Sequence, residues 1–326
     1  MRFFVCALIA AGISASVGGD VSFWSAARGA GPHRIFQFDA NGVFTGVAIE
    51  QVAGAQSSSW GYRDGASDRE SHIYFGWDGG VARHNADGSG GAQIIAGAAP
   101  AGVGTWRALA YDPTGDEGRG SIWTQSFGSS LAEATLSGNL LRSYPNSGTA
   151  AYGLAYDDSD GNLWIQGNGT IVKIDKSSGQ IIPGSGWITD PGGGALSGFH
   201  DGSGRLASVI QSQSDLLVVY DTKGAIVGGP WDLEGQTGES GNIGVVVIIT
   251  DPCASQICGD TNCDGLFNGG DVDPFFLALG DPAAWQAAHP NCDILCAADV
   301  NHDWVVNGAD IDPFFAALGV GGCSAP

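Results

Sequence analysis

Basic residues are scarce in this chain. Among its 326 residues, 13 are Lys or Arg and 34 are Asp or Glu, which gives a formal net charge of −21 at pH 7. A surface this acidic repels phosphate backbones, so nucleic acid is not an expected partner. The same acidity is also typical of proteins adapted to a salty habitat, and by itself it assigns no function.

Long hydrophobic runs are absent as well. The two main apolar stretches, Phe3 to Ile13 and Val245 to Ile249, fall well short of the roughly 20 residues that a membrane helix needs, so no transmembrane segment is expected. The first stretch follows Met1-Arg2 and ends in the small-residue context Ile13-Ser14-Ala15, which is the order found in secretory signal peptides. We therefore predict a signal peptide over residues 1–19 and an extracellular or cell-surface location.

Familiar catalytic motifs are missing too. The chain has no Gly-x-Ser-x-Gly elbow and no His-Glu-x-x-His helix, and its many glycines lie in turn contexts. Acidic residues of such a chain are most often solvated surface, so no catalytic residue is assigned. The titratable residues that stand outside the repeats described below are Asp68, Glu70, His72, Asp190, His200, Asp232, Glu234 and Glu239.

Cysteine is absent between residues 20 and 250. Apart from Cys6 in the predicted signal peptide, the cysteines are Cys253, Cys258, Cys263, Cys292, Cys296 and Cys323. An even set confined to one short exported segment predicts a disulfide framework whose pairing stays open, whereas a zinc site would need thiolates in a reducing compartment. Composition changes at the same place, because residues 251–326 hold 11 Asp and no Glu, Lys or Arg. We expect two domains, at residues 20–252 and 253–326.

The second of these segments contains an internal repeat. The run from Asp260 to Phe276 recurs 39 residues later, and each copy places Asp or Asn at loop positions 1, 3, 5, 9 and 12. Calcium takes roughly six to eight oxygen ligands, and a loop of this kind supplies them from those positions and from the carbonyl at position 7. Metal-free Asp/Asn turns are the plain alternative. Two matched copies favour about two Ca2+ sites, with the ligands Asp260, Asn262, Asp264, Leu266, Asn268 and Asp271, and Asp299, Asn301, Asp303, Val305, Asn307 and Asp310.

Paired loops of this kind, each followed by Asp-Pro-Phe-Phe and joined by an expected helix from Asp281 to His289, resemble a dockerin over residues 258–321. The resemblance implies a small α-helical calcium-binding module that docks its protein onto a cohesin or another extracellular partner, usually for polysaccharide breakdown. Cohesin-binding members often carry Ser-Thr at loop positions 10 and 11, where this chain has Gly269-Gly270 and Gly308-Ala309. Trp304 also stands where the second loop would favour Gly. The calcium chemistry therefore transfers more directly than the cohesin partner.

The segment from 20 to 252 repeats with a period of about 45 residues, which is the size of one four-stranded propeller blade. Two features recur five times each. A strand ending in Asp is expected at Asp64, Asp112, Asp157, Asp201 and Asp251, and a glycine hairpin at Gly42, Gly88, Gly138, Gly179 and Gly224. The first hairpin precedes the first Asp strand, so the strand near residues 244–250 is expected to close the ring with residues 21–47.

These repeats predict a mainly β protein with a five-bladed β-propeller, similar to bacterial extracellular propellers, and a small α-helical dockerin-like domain. Six blades are the alternative, and a sandwich is the third choice. Most tryptophans of the propeller are expected to pack between blades, and some to offer flat faces to a sugar: Trp24, Trp60, Trp77, Trp106, Trp123, Trp164, Trp187 and Trp231. Trp123 and Trp164 are expected in the cores of second strands.

Two classes of function remain open. The first is a non-catalytic propeller that binds a ligand or partner and is anchored or stabilised by the calcium module, in a polysaccharide-related setting outside the cell. The second is a carbohydrate-active enzyme, a glycoside hydrolase or lyase, with a docking tail. A glycosidase needs two carboxylates roughly 5 to 9.5 Å apart, which a sequence cannot show. The missing catalytic motifs favour the first class.

Overall fold

The computed structural model describes residues 21–29, 31–69, 71–100, 102–127, 130–145, 151–167, 169–188, 194–211, 215–249, 257–290, 292, 294–301 and 305–320. The predicted signal peptide lies outside these ranges, as do Glu70, Asp190, Asp251, Cys253, Asp303, Trp304 and Cys323.

Five antiparallel sheets make up most of the described chain, and each contains four or five strands. From the inner to the outer strand, blade 1 is β21 (Asn242–Ile249), β1 (Val21–Ala27), β2 (Arg34–Asp39) and β3 (Phe44–Glu50). Blade 2 is β4 (Asp64–Ser67), β5 (His72–Trp77), β6 (Gly80–Asn85) and β7 (Ala92–Ala96). Blade 3 is β8 (Ala108–Asp112), β9 (Ser121–Gln125), β10 (Leu131–Thr135) and β11 (Leu140–Tyr144).

The remaining two blades follow the same order. Blade 4 is β12 (Gly153–Asp157), β13 (Asn162–Gly167), β14 (Thr170–Asp175) and β15 (Gln180–Ile181), with β16 (Trp187–Ile188) also paired to β14. Blade 5 is β17 (Leu196–Gly198), β18 (Leu206–Ile210), β19 (Leu216–Tyr220) and β20 (Ile226–Asp232). Three short helical segments lie between strands: α1 (Ala53–Gln56), α2 (Gly115–Gly118) and α3 (Leu233–Thr237).

The ring closes by pairing the two ends of the propeller. Strand β21 is the inner strand of blade 1 and runs antiparallel to β1, with Trp24 opposite Val246. The five inner strands contact one another in the order β21, β4, β8, β12 and β17, and β17 contacts β21 again. The predicted five blades and the predicted closure are therefore confirmed.

The recurrent glycines form equivalent turns between the third and fourth strands of the blades. Gly42, Gly88, Gly138, Gly179 and Gly224 all have positive φ, between 68° and 87°, which residues with a Cβ rarely adopt. At Gly42 and Gly224 an added Cβ would also overlap the indoles of Trp231 and Trp187. The glycine series thus marks true blade positions.

Apolar side chains fill the spaces between neighbouring blades. Trp123 of β9 and Trp164 of β13 are buried on second strands, as predicted. Trp24, Trp77 and Trp106 are also buried. Burying flat aromatic surface between sheets is the main stabilising contribution such cores make, at about 25 cal/mol per Å².

The described residues of the C-terminal segment form four α-helices, and the expected linker helix is confirmed as one of them. They are α4 (Val272–Gly280), α5 (Pro282–Ala288), α6 (Ile294–Ala298) and α7 (Ile311–Val320). The two repeats meet through equivalent residues, because the buried rings of Phe275 and Phe314 stack at 4.0 Å with an interplanar angle of 10°. Their neighbours Phe276 and Phe315 lie 6.3 Å apart and are exposed.

One disulfide of the predicted framework joins Cys263 to Cys292, and Cys258 and Cys296 are disulfide-bonded as well. The boundary expected between residues 252 and 253 stays a prediction, since residues 250–256 are not described. Within the described part of the chain, none of the helices has the length and apolarity to cross a membrane.

Candidate functional site

The carboxylate of Asp64 lies at the axis of the propeller, among the inner strands. Asp64 begins β4, and its Oδ2 accepts hydrogen bonds from the backbone N–H groups of Leu109 and Leu154, at 3.0 Å each. Its Oδ1 accepts a third, from the N–H of Leu196 at 3.2 Å. Asp64 therefore ties β4 to the inner strands of three other blades. Burial raises the pKa of Asp64 well above its usual range, against the opposing effect of these backbone donors.

Asp64 corrects one expectation from the sequence, which placed it at the end of a strand with Asp112 and Asp157. Asp112 and Asp157 do end β8 and β12. Asp64 instead lies level with Leu109 and Leu154, which precede those two aspartates by three residues. Pairing Asp64 with Asp112 in the repeat therefore shifts blade 2 by three residues relative to blade 3. Its side chain therefore belongs to the channel and not to a turn.

Arginines and aromatic rings gather at the end of the channel where the inner strands begin. Arg63, Arg107 and Tyr152 directly precede β4, β8 and β12, so the ring of inner strands brings them to the same end. Phe127 follows the antiparallel second strand of blade 3, which ends on that side. A cavity of about 330 Å³ lies there, lined by these residues and by Trp60, Gln211 and Ile243. With Arg28, which contacts Trp60, we name this set the arginine–aromatic mouth.

Cation–π contacts organise the arginine–aromatic mouth. The guanidinium carbons of Arg28 and Arg63 lie 4.3 and 4.9 Å from the ring centroid of Trp60. Arg107 lies 3.8 Å from the centroid of Phe127 and 4.8 Å from that of Tyr152. Such contacts stabilise each cation by about 0.5 to 2 kcal/mol without neutralising it. The rings stay partly open to solvent, since Trp60 is 41% and Phe127 is 50% exposed.

The mouth is electropositive in an acidic protein. Burial, together with the charge of Arg63, lowers the pKa of Arg107 to about 10, against the opposing charges of Asp64 and Asp78. Burial also lowers the pKa of Arg63, which has one acidic neighbour in Asp78 at 3.5 Å. Both groups still carry their charge at pH 7. Side by side they attract anions.

The opposite end of the channel holds the periodic aspartates, and their contacts are structural. Asp112 and Asp157 accept hydrogen bonds from the indole N–H groups of Trp123 and Trp164, at 3.2 and 2.7 Å. Each also pairs with a lysine, Lys176 and Lys173 respectively, at 2.7 and 2.6 Å. In blades 3 and 4 the recurrent aspartate therefore fastens an inner strand to its neighbour, and it also accepts a turn N–H, from Thr114 or Ser159, as its periodicity led us to expect. Asp201 differs from the expectation, because β17 ends at Gly198 and Asp201 lies beyond the strand, paired with Arg205.

Some residues outside the repeats also lie at this opposite end. Asp68 Oδ2 lies 2.7 Å from His72 Nδ1 and accepts a hydrogen bond from the Tyr74 hydroxyl at 3.3 Å. Burial raises the pKa of Asp158 to about 6. Burial lowers the pKa of His200 to about 3, so this imidazole is neutral at physiological pH.

The acidic group before the closing strand serves the fold. Asp232 caps α3 by accepting the N–H of Gly235 at 2.7 Å, and Glu239 approaches Arg34 at 3.7 Å. Glu234 lies in the first turn of α3, where a negative charge suits the helix dipole. None of these three acids lines the cavity of the mouth.

The first proposed calcium loop is described in full. The carboxylate of Asp260 accepts the N–H groups of Asp264 and Gly265, at 3.1 and 2.8 Å. Asp271, fully buried, accepts those of Asn262 and Asn268, at 3.0 and 2.8 Å. Gly265 at position 6 has φ 88°, the turn that this position requires. Leu266 at position 7 is exposed, and its carbonyl accepts a hydrogen bond from the side-chain amide of Asn268.

The second loop repeats this arrangement where it is described. Buried Asp310 accepts the N–H groups of Asn301 and Asn307, at 3.2 and 2.9 Å. Asn307 reaches the carbonyl of Val305 at 2.9 Å, as its counterpart does in the first loop. Asp299 is buried, and Asp303 lies outside the described residues.

Residues 251–326 contain no Lys or Arg, so no such side chain of this segment can neutralise its buried carboxylates. A hard cation such as calcium could do so. Among the described residues, however, no three or more His, Cys, Asp or Glu side chains converge as they would around a metal ion. The first loop would have to draw on Asn262, Asn268 and the carbonyl of Leu266 as well as on its carboxylates. The donor types therefore fit calcium, while their convergence stays a prediction.

No protein-family model matches the chain, and no curated protein matches it. Solved structures do resemble it. A protein of unknown function from Bacteroides caccae aligns over 71% of this chain and 99% of its own, at 14% identity and a TM-score of 0.43.

Two further solved structures resemble the chain less completely. Hydrazine synthase from Kuenenia stuttgartiensis aligns over 52% of this chain and 48% of its own, at 14% identity and a TM-score of 0.33. Regucalcin from Agrobacterium tumefaciens, described as a calcium-binding protein, aligns over 60% and 65%, at 11% identity and a TM-score of 0.34. This chain thus spans about half of the former and about two thirds of the latter. Similarities this low transfer no residue role.

Proposed function

We propose that this chain is a secreted, non-catalytic binding protein in an extracellular polysaccharide-related setting. Its propeller takes a ligand or partner at the arginine–aromatic mouth. Its C-terminal segment is a calcium-dependent, dockerin-like module that anchors or stabilises it. The observation that carries the proposal is the convergence of Arg63, Arg107, Trp60 and Phe127 on one cavity at the start of the inner strands.

The chemistry of the mouth supports binding over catalysis. Glycoside hydrolysis needs two suitably spaced carboxylates, and the described residues lining the cavity include none. Asp64, which directly follows Arg63 in the chain, uses both oxygens to accept backbone N–H groups. Exposed aromatic faces next to fixed hydrogen-bond donors are instead what a binding site offers.

The C-terminal segment supports the anchoring role through its symmetry. The repeats pack through Phe275 and Phe314 and leave Phe276 and Phe315 exposed beside each other. In the proposal the two loops hold calcium and fix α4 and α7, and a cohesin or another extracellular protein covers the exposed phenylalanines. Exposed neighbouring aromatic rings are typical of surfaces that contact a partner.

A carbohydrate-active enzyme is the second candidate, and one observation favours it. At the opposite end of the channel, the raised pKa of Asp158, about 6, lies in the range of a general acid. Asp68 lies at the same end, paired with His72. In this alternative the reaction would take place there, and the mouth would only bind.

A polysaccharide microarray incubated with the purified full chain separates the two candidates. Retention on a defined set of glycans without new reducing ends or unsaturated products is the expected result. Cleavage of any glycan would favour the enzyme, and an Asp158→Asn variant would then show whether the opposite end of the channel is responsible.

A further inference from the structure

Positive charge is concentrated at the arginine–aromatic mouth. Three of the 13 basic residues, Arg28, Arg63 and Arg107, meet there in a chain whose net charge is −21. Asp78 is the only acidic side chain of the described residues that is in ion-pair contact with any of the three, and it reaches only Arg63. The mouth is therefore a local basic site on an acidic molecule.

The guanidinium group of Arg107 has a buried N–H donor with no hydrogen-bond acceptor among the described residues. Its guanidinium contacts the rings of Phe127 and Tyr152, and its buried Nε has no hydrogen-bond partner in the described part of the protein. The buried Nε of Arg63 is also unpaired. An arginine carries five N–H donors in a planar fork that matches a carboxylate, and a buried polar group left unpaired costs about 1 to 3 kcal/mol.

The shape of the cavity limits what could accept these donors. At about 330 Å³ it lies at the small end of ligand pockets, so it suits a group the size of one or two rings. The partly exposed rings of Trp60 and Phe127 form its flat apolar walls, and Gln211 adds a neutral polar group.

We propose that the arginine–aromatic mouth binds a small ring carboxylate, with its carboxylate between Arg63 and Arg107 and its flat face against Phe127. The proposal rests on the proposed binding role of the mouth and names its ligand class. The ring is either a uronic acid or an aromatic acid, which share this chemistry. A bound anion offsets the repulsion between the two guanidinium groups, and the flat wall distinguishes such a ligand from a bare inorganic anion.

Isothermal titration of the full chain with paired probes tests the ligand class. Galacturonate is compared with galactose, benzoate with benzamide, and inorganic sulfate serves as an anion without a ring. We expect at least one of the two acids to bind about tenfold or more tightly than its neutral partner and than sulfate. Which acid binds identifies the ring. Equal binding of an acid and its neutral partner, sulfate binding as tight as the acid, or no binding of either acid at millimolar concentration would overturn the proposal.

Matched variants locate the binding. Arg107→Gln is expected to weaken binding of the acid about tenfold, and Arg107→Lys to restore part of it. Arg119→Gln removes the same charge from an exposed residue between β8 and β9, paired with Asp116, and is expected to change affinity by less than about twofold. Equal effects of Arg107→Gln and Arg119→Gln would contradict a site at the mouth, provided that both variants keep the wild-type circular dichroism spectrum.

The same titrations separate this inference from the proposed function. If neutral galactose binds and Phe127→Ala abolishes that binding while Arg107→Gln does not, the mouth binds ligands but the anion assignment is wrong. If Phe127→Ala leaves binding of every probe unchanged, the mouth is not the site, and both proposals fail.

Discussion

The Oδ2 atom of Asp64 lies 3.0 Å from the backbone nitrogen of Leu154, a residue 90 positions further along the chain. The same oxygen accepts the N–H of Leu109, and Oδ1 accepts that of Leu196. One side chain thus satisfies buried donors of three blades at once. Donors of this kind are costly to leave unpaired, so Asp64 is a structural centre of the propeller.

Replacing Asp64 is therefore expected to destabilise the whole ring. Asp64→Ala leaves three buried N–H groups without an acceptor, and we expect a loss of about 3 kcal/mol or more in the free energy of unfolding. Asp64→Asn keeps one carbonyl oxygen and is expected to cost less. Denaturant unfolding followed by circular dichroism measures both.

Asp39 is the matched control for these variants. Its Oδ1 also accepts two backbone N–H groups, those of Asn41 and Val43, but in an exposed turn where water replaces it. Asp39→Ala should cost less than about 1 kcal/mol. Equal losses for Asp39→Ala and Asp64→Ala would show that the axial hydrogen bonds contribute nothing special.

Asp158 gives the propeller a pH-dependent stability. Folding raises the pKa of Asp158 from an ordinary 3.8 to about 6, chiefly because of burial, so the folded chain binds this proton more tightly than the unfolded chain. Its contribution to stability is complete below pH about 4 and is lost as the pH rises through about 6. Asp158→Asn cannot ionise and should be more stable than wild type at pH 7.5 but not at pH 4.

Thermal unfolding at these two pH values measures the difference. Glu50→Gln removes a charge from the exposed end of β3, outside any helix, and should show the same difference in melting temperature from wild type at both values. An advantage of Asp158→Asn that is as large at pH 4 as at pH 7.5 would rule out the linkage.

We expect each of the two loops to bind one calcium ion. Titration calorimetry of the full chain should show about two Ca2+ ions, with dissociation constants of about 10⁻⁴ to 10⁻³ M. Asp271→Asn and Asp310→Asn each keep a hydrogen-bond acceptor for the loop but lose the carboxylate, so each should remove about one ion. Asp273 and Asp312 each lie two residues further along the chain, at exposed positions. Asp273→Asn and Asp312→Asn should therefore leave the number of bound ions unchanged. An unchanged stoichiometry in Asp271→Asn would place the calcium elsewhere.

The fluorescence of Trp60 reports the charge of the mouth. Trp60 is 41% exposed and lies between Arg28 and Arg63, so iodide should accumulate beside it although the chain as a whole repels anions. The emission of Trp60 is obtained as the difference between the spectra of the wild type and a Trp60→Phe variant. We expect iodide to quench this emission more strongly than caesium does. Stronger quenching by caesium would mean that the mouth is not electropositive.

The propeller could be predicted from the sequence because its turns require glycine. Gly42 and its four equivalents need positive φ, so each blade shows the same residue at the same place. The aspartate series predicted the blade register less reliably than the glycine series, because aspartates have two different structural roles in the propeller. Asp112 and Asp157 join neighbouring strands, whereas Asp64 lies on the axis, and side-chain identity alone does not distinguish them.

The arginine–aromatic mouth was not predicted, because it forms only when the ring closes. Arg63 and Arg107 are 44 residues apart, and Phe127 reaches the cavity from the end of another strand. One signal was present: in a chain with so few basic residues, Arg63 and Arg107 each directly precede an inner strand and follow a tryptophan closely. The C-terminal repeat was visible in the sequence, since the proposed ligands of each loop lie close together in the chain, and its calcium binding stays a prediction.

Ligand binding at the arginine–aromatic mouth is tested by comparing the wild type with a Trp60→Ala/Phe127→Ala double variant on one polysaccharide microarray, scored for both retention and cleavage. We expect the wild type to be retained on a defined set of glycans, the double variant not to be retained on them, and neither protein to release products. Retention by the double variant equal to that of the wild type, or products released by the wild type, would contradict it.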